Sequence, residues 1–198
     1  MLLYVFVWQL IVSNYIKMAK TVYYITGMGG RLDKGLGRGL LDKGFNVKGR
    51  ELYGDFRKYD FQVQIDLIAN DLCELFWDEE CCVIANSFGA YLFLNAQAKM
   101  KPYIGKVILL SPIIGDFSNE ETLTTFVPPY AGRIIDLAKT NKFPTPKNCQ
   151  IYCGELDWQS NPKNVGSFAT MLGVELTIVP NAGHMLPKEY VASLLDDI

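Results

Sequence analysis

Ser87 lies in the stretch Cys81 to Leu92, CCVIANSFGAYL, between two runs of different character. Before it, Cys82-Val83-Ile84-Ala85 is apolar and β-branched enough for a buried strand; after it, Ala90 to Ala96 suits a buried helix. At such a joint a serine can be held in a strained backbone conformation with its hydroxyl standing clear above the sheet. The residues two before and two after it must be small for the two elements to pass, and Ala85 and Gly89 are. A serine hydroxyl is a poor nucleophile at neutral pH. It becomes a useful one when an imidazole takes its proton and a carboxylate orients that imidazole, which opens acyl transfer. The same small-Ser-small triplet also fits a plain strand-to-helix turn, so its meaning depends on what the chain brings to it.

The elements that would position Ser87 alternate along the chain. Thr21 to Thr26 reads as a strand, followed by the loop Gly27-Met28-Gly29-Gly30 and a helix around Asp33 to Lys43 weakened by Gly35, Gly37 and Gly39. Phe45 to Leu52 is a second strand. Asp60 is placed to cap a long amphipathic helix carrying Phe61, Ile65, Ile68, Ala69 and Leu72 at helical spacing. The third strand, ending at Asn86, and its helix to about Met100 precede a fourth strand at Lys106 to Leu110. Pro112, Pro128, Pro129, Pro144 and Pro146 then break the rhythm, and residues 112–146 read as an inserted lid with an amphipathic piece near Arg133 to Lys139. Cys149 to Cys153, a helix over Pro162 to Leu172, Val174 to Val179 and a last helix from Pro187 to Asp197 complete the series. Strands separated by helices need crossover connections, so the expected fold is α/β: a three-layer α/β/α sandwich with a mainly parallel sheet of about six strands. Ligands of such sheets bind at the carboxyl ends of the strands, where strand order reverses.

Three of those strand ends carry reactive residue types. Ser87 follows the third strand, Gly154-Glu155-Leu156-Asp157 the fifth, and Asn181-Ala182-Gly183-His184 the sixth. This order of serine, acid and histidine on one sheet edge resembles the α/β-hydrolase family, and the resemblance covers nearly the whole chain from Lys20 onward. It implies Ser87 as nucleophile, His184 as general base and acid, and Asp157 as the orienting carboxylate, with Glu155 and Asp116 as substitutes for the acid. His184 is the sole histidine, and a lone histidine outside such a loop is more often structural. The resemblance also implies an oxyanion hole from the backbone N–H of Phe88 and of Met28, with Gly29 beside it, although many relatives carry His-Gly where this chain has Thr26-Gly27.

The lid would set substrate choice. Phe117, Phe126, Val127, Tyr130, Ile134, Phe143 and Trp158 could line an apolar pocket or be plain core, and Tyr130 and Trp158 with Gly29 stand as substrate-binding candidates. The expected activity is serine hydrolysis of a small carboxylic ester or thioester, with a modest acyl or alkyl group, no cofactor and no metal. Two other readings compete. A non-catalytic binding or scaffold protein could use the same fold. A Rossmann-like nucleotide site could use Gly27-x-Gly29-Gly30 with Glu51 as the ribose acid, but the G-x-G-x-x-G count from Gly27 lands on Leu32 and no P-loop Gly-Lys-Ser/Thr is present.

Composition bounds these readings. The 198 residues are 49% hydrophobic and 20% charged, which suits a single folded domain. A formal net charge of −2 without blocks of like charge argues against nucleic acid or an anionic membrane as partner. Five cysteines, an odd number set mostly in apolar runs, suit buried free thiols in a reducing, cytoplasmic setting. No second histidine or paired cysteine spacing supports zinc. Residues 1–17, MLLYVFVWQLIVSNYIK, are apolar but too short to span a bilayer and lack a secretory cleavage signature. They read as an extension ahead of a domain over 18–198 that starts at Met18, with an extra edge strand or a membrane anchor as alternatives.

Overall fold

A computed structural model describes residues 19–119 and 123–198. The apolar extension over 1–17 lies outside the described residues.

The main sheet has six parallel strands: β1 (Thr21–Ile25), β2 (Asn46–Arg50), β3 (Cys82–Asn86), β4 (Lys106–Leu110), β7 (Asn148–Gly154) and β8 (Glu175–Val179), in the order β2-β1-β3-β4-β7-β8. The interior strands β3 and β4 are buried along almost their whole length, whereas the edge strands β2 and β8 each keep exposed positions. Side-chain alternation divides the core into two. Tyr23, Ile25, Val83 and Ala85 face one layer, and Val22, Tyr24, Cys82 and Ile84 face the other.

The first layer holds α2 (Phe61–Glu74), α3 (Phe88–Gln97) and α5 (Pro162–Leu172). Every residue of α3 from Gly89 to Gln97 is buried, so this helix shows no polar face. Asn161 caps α5 by accepting hydrogen bonds from the amides of Lys163 and Asn164, Pro162 fills its first turn, and Gly173 closes it in the left-handed conformation. Asp60 does stand at the N-cap of α2, but its side chain makes no cap hydrogen bond. The second layer holds α1 (Leu36–Asp42) and α6 (Lys188–Leu194), the latter continued by a 3₁₀ turn over Leu195–Asp197. The first helix is shorter than the expected Asp33 to Lys43 because its opening residues run as turns.

Between β4 and β7 the chain forms an antiparallel hairpin, β5 (Phe117–Asn119) with β6 (Thr124–Phe126), and then α4 (Arg133–Lys139). Ile134 and Phe143 of this stretch are core residues rather than pocket lining, because α4 packs onto α3 and α5. The cysteines are free, and burial pushes the thiols of Cys82, Cys149 and Cys153 up to about 12, as inert packing groups. No helix among the described residues is long and apolar enough to cross a membrane.

Candidate active site

Strand order reverses between β1 and β3, and Ser87 and the Gly27 loop stand on the two sides of that switch point. Ser87 has φ 54° and ψ −125°, a region that costs a non-glycine residue of order 1–3 kcal/mol and persists only where the surroundings enforce it. The enforcement is visible. The Ser87 amide donates to the Leu110 carbonyl at 2.9 Å, and its carbonyl accepts from the Ala90 and Tyr91 amides to start α3. Gly89 lies so close to β1 that an added Cβ would stand 2.2 Å from the Thr26 carbonyl oxygen. The small residue expected two positions after the serine is therefore a steric requirement.

The turn holds the Ser87 hydroxyl 2.7 Å from His184 Nε2. On the other side of the imidazole, Nδ1 lies 3.0 Å from both carboxylate oxygens of Asp157. Gly154 lets the two loops meet, since a Cβ there would stand 2.3 Å from the Gly183 carbonyl oxygen. Asp157 is buried and accepts at Oδ1 from the amides of Gln159, at 3.0 Å, and Ser160, at 2.9 Å. Burial alone would raise its pKa. Hydrogen bonds from His184 and the Ser160 amide outweigh that, holding the carboxyl below the usual carboxylate range and so ionised. Glu155, the first substitute considered for this acid, instead accepts from the Asn181 amide at 2.9 Å and braces the loop that carries His184.

The glycine loop sorts its own donors. The Gly27 amide donates to Asn86 Oδ1 at 2.9 Å, the Gly29 amide to the Leu52 carbonyl at 3.0 Å, and the Gly30 amide to the Gly27 carbonyl at 2.9 Å. Within the loop only the Met28 amide keeps no acceptor among the described residues, and the Phe88 amide opening α3 likewise keeps none. Gly29 lines the cavity, but its N–H is committed. Thr26, standing where histidine is common in the resembling family, is wholly buried; its hydroxyl accepts from the Leu52 amide at 2.8 Å and so ties the loop to the end of β2. Glu51, considered as a ribose-binding acid, accepts from the Leu32 amide at 3.0 Å and is occupied internally.

Ser87, His184, Met28 and Phe88 open into one cavity of about 1000 Å³. On the hairpin side its wall is Phe117, Phe126 and Ile113. Trp158 packs edge-on against Phe117 with ring centroids 5.5 Å apart, and Tyr130 packs edge-on against Phe61 at 5.5 Å; neither lines the cavity. Phe117 and Phe126 of the β5-β6 hairpin, their rings 5.2 Å apart, thus stand on the cavity wall in the places expected for Tyr130 and Trp158.

Two supporting residues escaped the sequence reading. Ser160 donates to the Ser111 carbonyl at 2.6 Å and lies 3.4 Å from His184 Nδ1, beside the Asp157 contact. Asn86 accepts at Oδ1 from both the Gly27 amide and the Tyr24 hydroxyl, the latter at 2.8 Å, so one side chain pins the loop that presents Met28. Its position directly before Ser87 was the available signal. Asn86→Ala is expected to leave the fold intact while speeding hydrogen exchange at the Gly27 amide roughly tenfold or more, because that amide loses its acceptor; an unchanged exchange rate would show that the loop needs no such pin.

The chain has the α/β-hydrolase fold, and solved structures agree with it over almost its full length. Est1E from Butyrivibrio proteoclasticus superposes with a TM-score of 0.63 at 17% identity, covering 93% of this chain and 88% of that one. The ydeN gene product of B. subtilis does so with a TM-score of 0.61 at 17% identity, over 90% of this chain and 98% of that one. Esterase PE8 gives 0.61 at 14% identity, over 91% and 93%. No family model and no curated protein sequence matches the chain.

Proposed function

We propose that this chain is a serine hydrolase of small carboxylic esters or thioesters, acting through an acyl-enzyme intermediate. The observation that carries the reading is the unbroken hydrogen-bonded row from the Ser87 hydroxyl through both nitrogens of His184 to the buried Asp157 carboxylate. The esterases among the structural neighbours support it.

In this reading Ser87 Oγ attacks the substrate carbonyl carbon as its proton passes to His184 Nε2, and the imidazolium so formed is stabilised by Asp157. The carbonyl oxygen takes up the negative charge of the tetrahedral intermediate and faces the free amides of Met28 and Phe88. Collapse breaks the bond to the alkoxy or thio group, which leaves with the proton from Nε2, while the acyl half stays bonded to Ser87 Oγ as the acyl-enzyme. Water then repeats the sequence: it loses a proton to Nε2, attacks the acyl carbon and releases the carboxylic acid, and Ser87 Oγ recovers its proton. The committed amides of Gly27, Gly29 and Gly30 hold the loop still, so the donors are oriented before charge develops.

A fluorophosphonate probe tests the assignment directly, because it reacts with an activated serine and requires no knowledge of the substrate. Mass spectrometry of the folded protein is expected to find one adduct, on Ser87, and none after heat denaturation. Folded protein without that adduct would instead favour a binding role for the same fold.

A further inference from the structure

Besides the hairpin, α1 through Leu36 and Gly39 and α6 through Lys188, Val191 and Ala192 line the cavity at Ser87, and this part is its α1–α6 branch. Its apolar lining includes Tyr24, Leu36, Val191 and Leu195. Its charged lining is of one sign. Arg31, Lys34, Lys43 and Lys188 contribute to the wall, and no aspartate or glutamate among the described residues does. The whole chain carries 19 basic and 21 acidic residues, so the imbalance is local and not inherited from composition. Arg31 is paired with Asp33 at 2.9 Å and Lys43 with Asp196, but these carboxylates stand outside the wall. The ammonium groups of Lys34, just ahead of α1, and Lys188, at the start of α6, have no ion-pair or hydrogen-bond partner among the described residues. An apolar trough flanked from both sides by unpaired ammonium groups suits a ligand with an apolar body and an anionic group.

We infer that the α1–α6 branch takes the leaving-group half of the substrate, and that this half carries a carboxylate or a phosphate. The inference rests on the serine-hydrolase reading for its direction. His184 Nε2 must protonate the departing oxygen or sulfur, so the leaving group lies on the histidine side of the scissile bond. From His184 the chain continues through Met185 and Leu186 into α6 with Lys188 and Val191, which form this branch. The acyl half is then left to the Phe117 and Phe126 side, where no charged group lines the wall. The substrate class is an acyl ester or thioester of an anionic alcohol, phenol or thiol.

Two pairs of substrates test this while holding the acyl group and the scissile bond constant. The first is 4-butyryloxyphenylacetate against 4-butyryloxyphenylacetamide; the second is S-butyryl-4′-phosphopantetheine against S-butyrylpantetheine. At low ionic strength kcat/KM is expected to favour the anionic member by roughly tenfold in at least one pair, the pair with the larger ratio naming the anion. The ratio should fall as salt shortens the screening length from about 30 Å at 0.01 M to about 10 Å at 0.1 M. In the Lys34→Gln/Lys188→Gln double variant the same ratio should fall toward one. Equal turnover of both members in both pairs would overturn the inference, as would a ratio that salt and the double variant leave untouched. Ser87→Ala protein supplies a readout free of turnover: saturation-transfer NMR should show 4-hydroxyphenylacetate binding in preference to its amide. If neither member of any pair is hydrolysed, the hydrolase reading fails; the binding preference then decides the inference alone, an equal signal overturning it.

Discussion

Replacing Ser87 with alanine is expected to lower kcat/KM for p-nitrophenyl acetate or butyrate by roughly ten-thousandfold or more while leaving the melting temperature close to that of the parent protein. The magnitude follows from the geometry. Among the described residues the Ser87 hydroxyl is the oxygen in hydrogen-bond contact with His184 Nε2, at 2.7 Å, so its removal takes away the nucleophile that this nitrogen would activate. Stability should hold because the serine contributes its backbone, not its side chain, to the turn: the amide bond to Leu110 and the carbonyl bonds to α3 survive the change. The strained φ of 54° is equally unfavourable for alanine and serine, so it cancels in the comparison. Ser87→Gly separates the two effects further. Glycine adopts this conformation without the steric cost, so the variant should be as inactive as the alanine one yet no less stable, and more stable by about 1 kcal/mol where relief of strain exceeds the added chain entropy. His184→Ala should match Ser87→Ala in lost rate, and Asp157→Asn should lose comparably or less, since it disturbs the tautomer and charge of an imidazole that is still present. Steady-state assays beside a circular-dichroism melt make the measurement. Activity within tenfold of the parent in a folded Ser87→Ala protein would refute the mechanism.

The second large effect is on folding. Gly89→Ala is expected to destabilise the protein by about 4 kcal/mol or more, which places it among the exceptional single substitutions. The new Cβ would stand 2.2 Å from the Thr26 carbonyl oxygen and 2.5 Å from that of Ile25, both backbone atoms at the end of β1. That strand cannot retreat, because it is hydrogen-bonded to β2 on one side and β3 on the other. Helix α3 cannot retreat either, being buried along its length between the sheet and its neighbouring helices. A chemical-denaturation midpoint far below that of the parent, or expression only as aggregate, is the expected result. Any folded fraction should also show weakened fluorophosphonate labelling, since a displaced α3 moves both Ser87 and the Phe88 amide. Parent-like stability would mean that the strand-to-helix crossing is looser than its contacts imply.

These two substitutions also mark what a linear reading can supply. The local pattern around Ser87 carries its own geometry: a buried strand, a buried helix and small residues on both sides of the serine leave few ways to connect them. Periodicity is similarly sufficient for the helix over Pro162 to Leu172, whose buried Val165, Phe168 and Ala169 fall at helical spacing, and for the strand over Lys106 to Leu110, whose apolar run is buried on both faces of the sheet. It overestimated the first helix, where Gly35 and the turns before it hold the chain out of helical geometry until Leu36.

Sequence by itself determined the class of fold, the chain order of serine, acid and histidine, and which residue types were available for chemistry, because these follow from hydrophobic spacing and from residues that occur once or in one loop. Only the tertiary structure decided which acid meets the imidazole, since Glu155 and Asp157 sit two residues apart and differ in where the β7 turn aims them. It decided which loop amide stays free, because that depends on the Leu52 carbonyl and the Asn86 side chain arriving from distant parts of the chain. It also put Phe117 and Phe126, in place of Tyr130 and Trp158, against the cavity, and gathered four scattered cations along one trough. Contacts of that kind depend on how separate elements pack, and no local pattern encodes a neighbour more than 20 residues away.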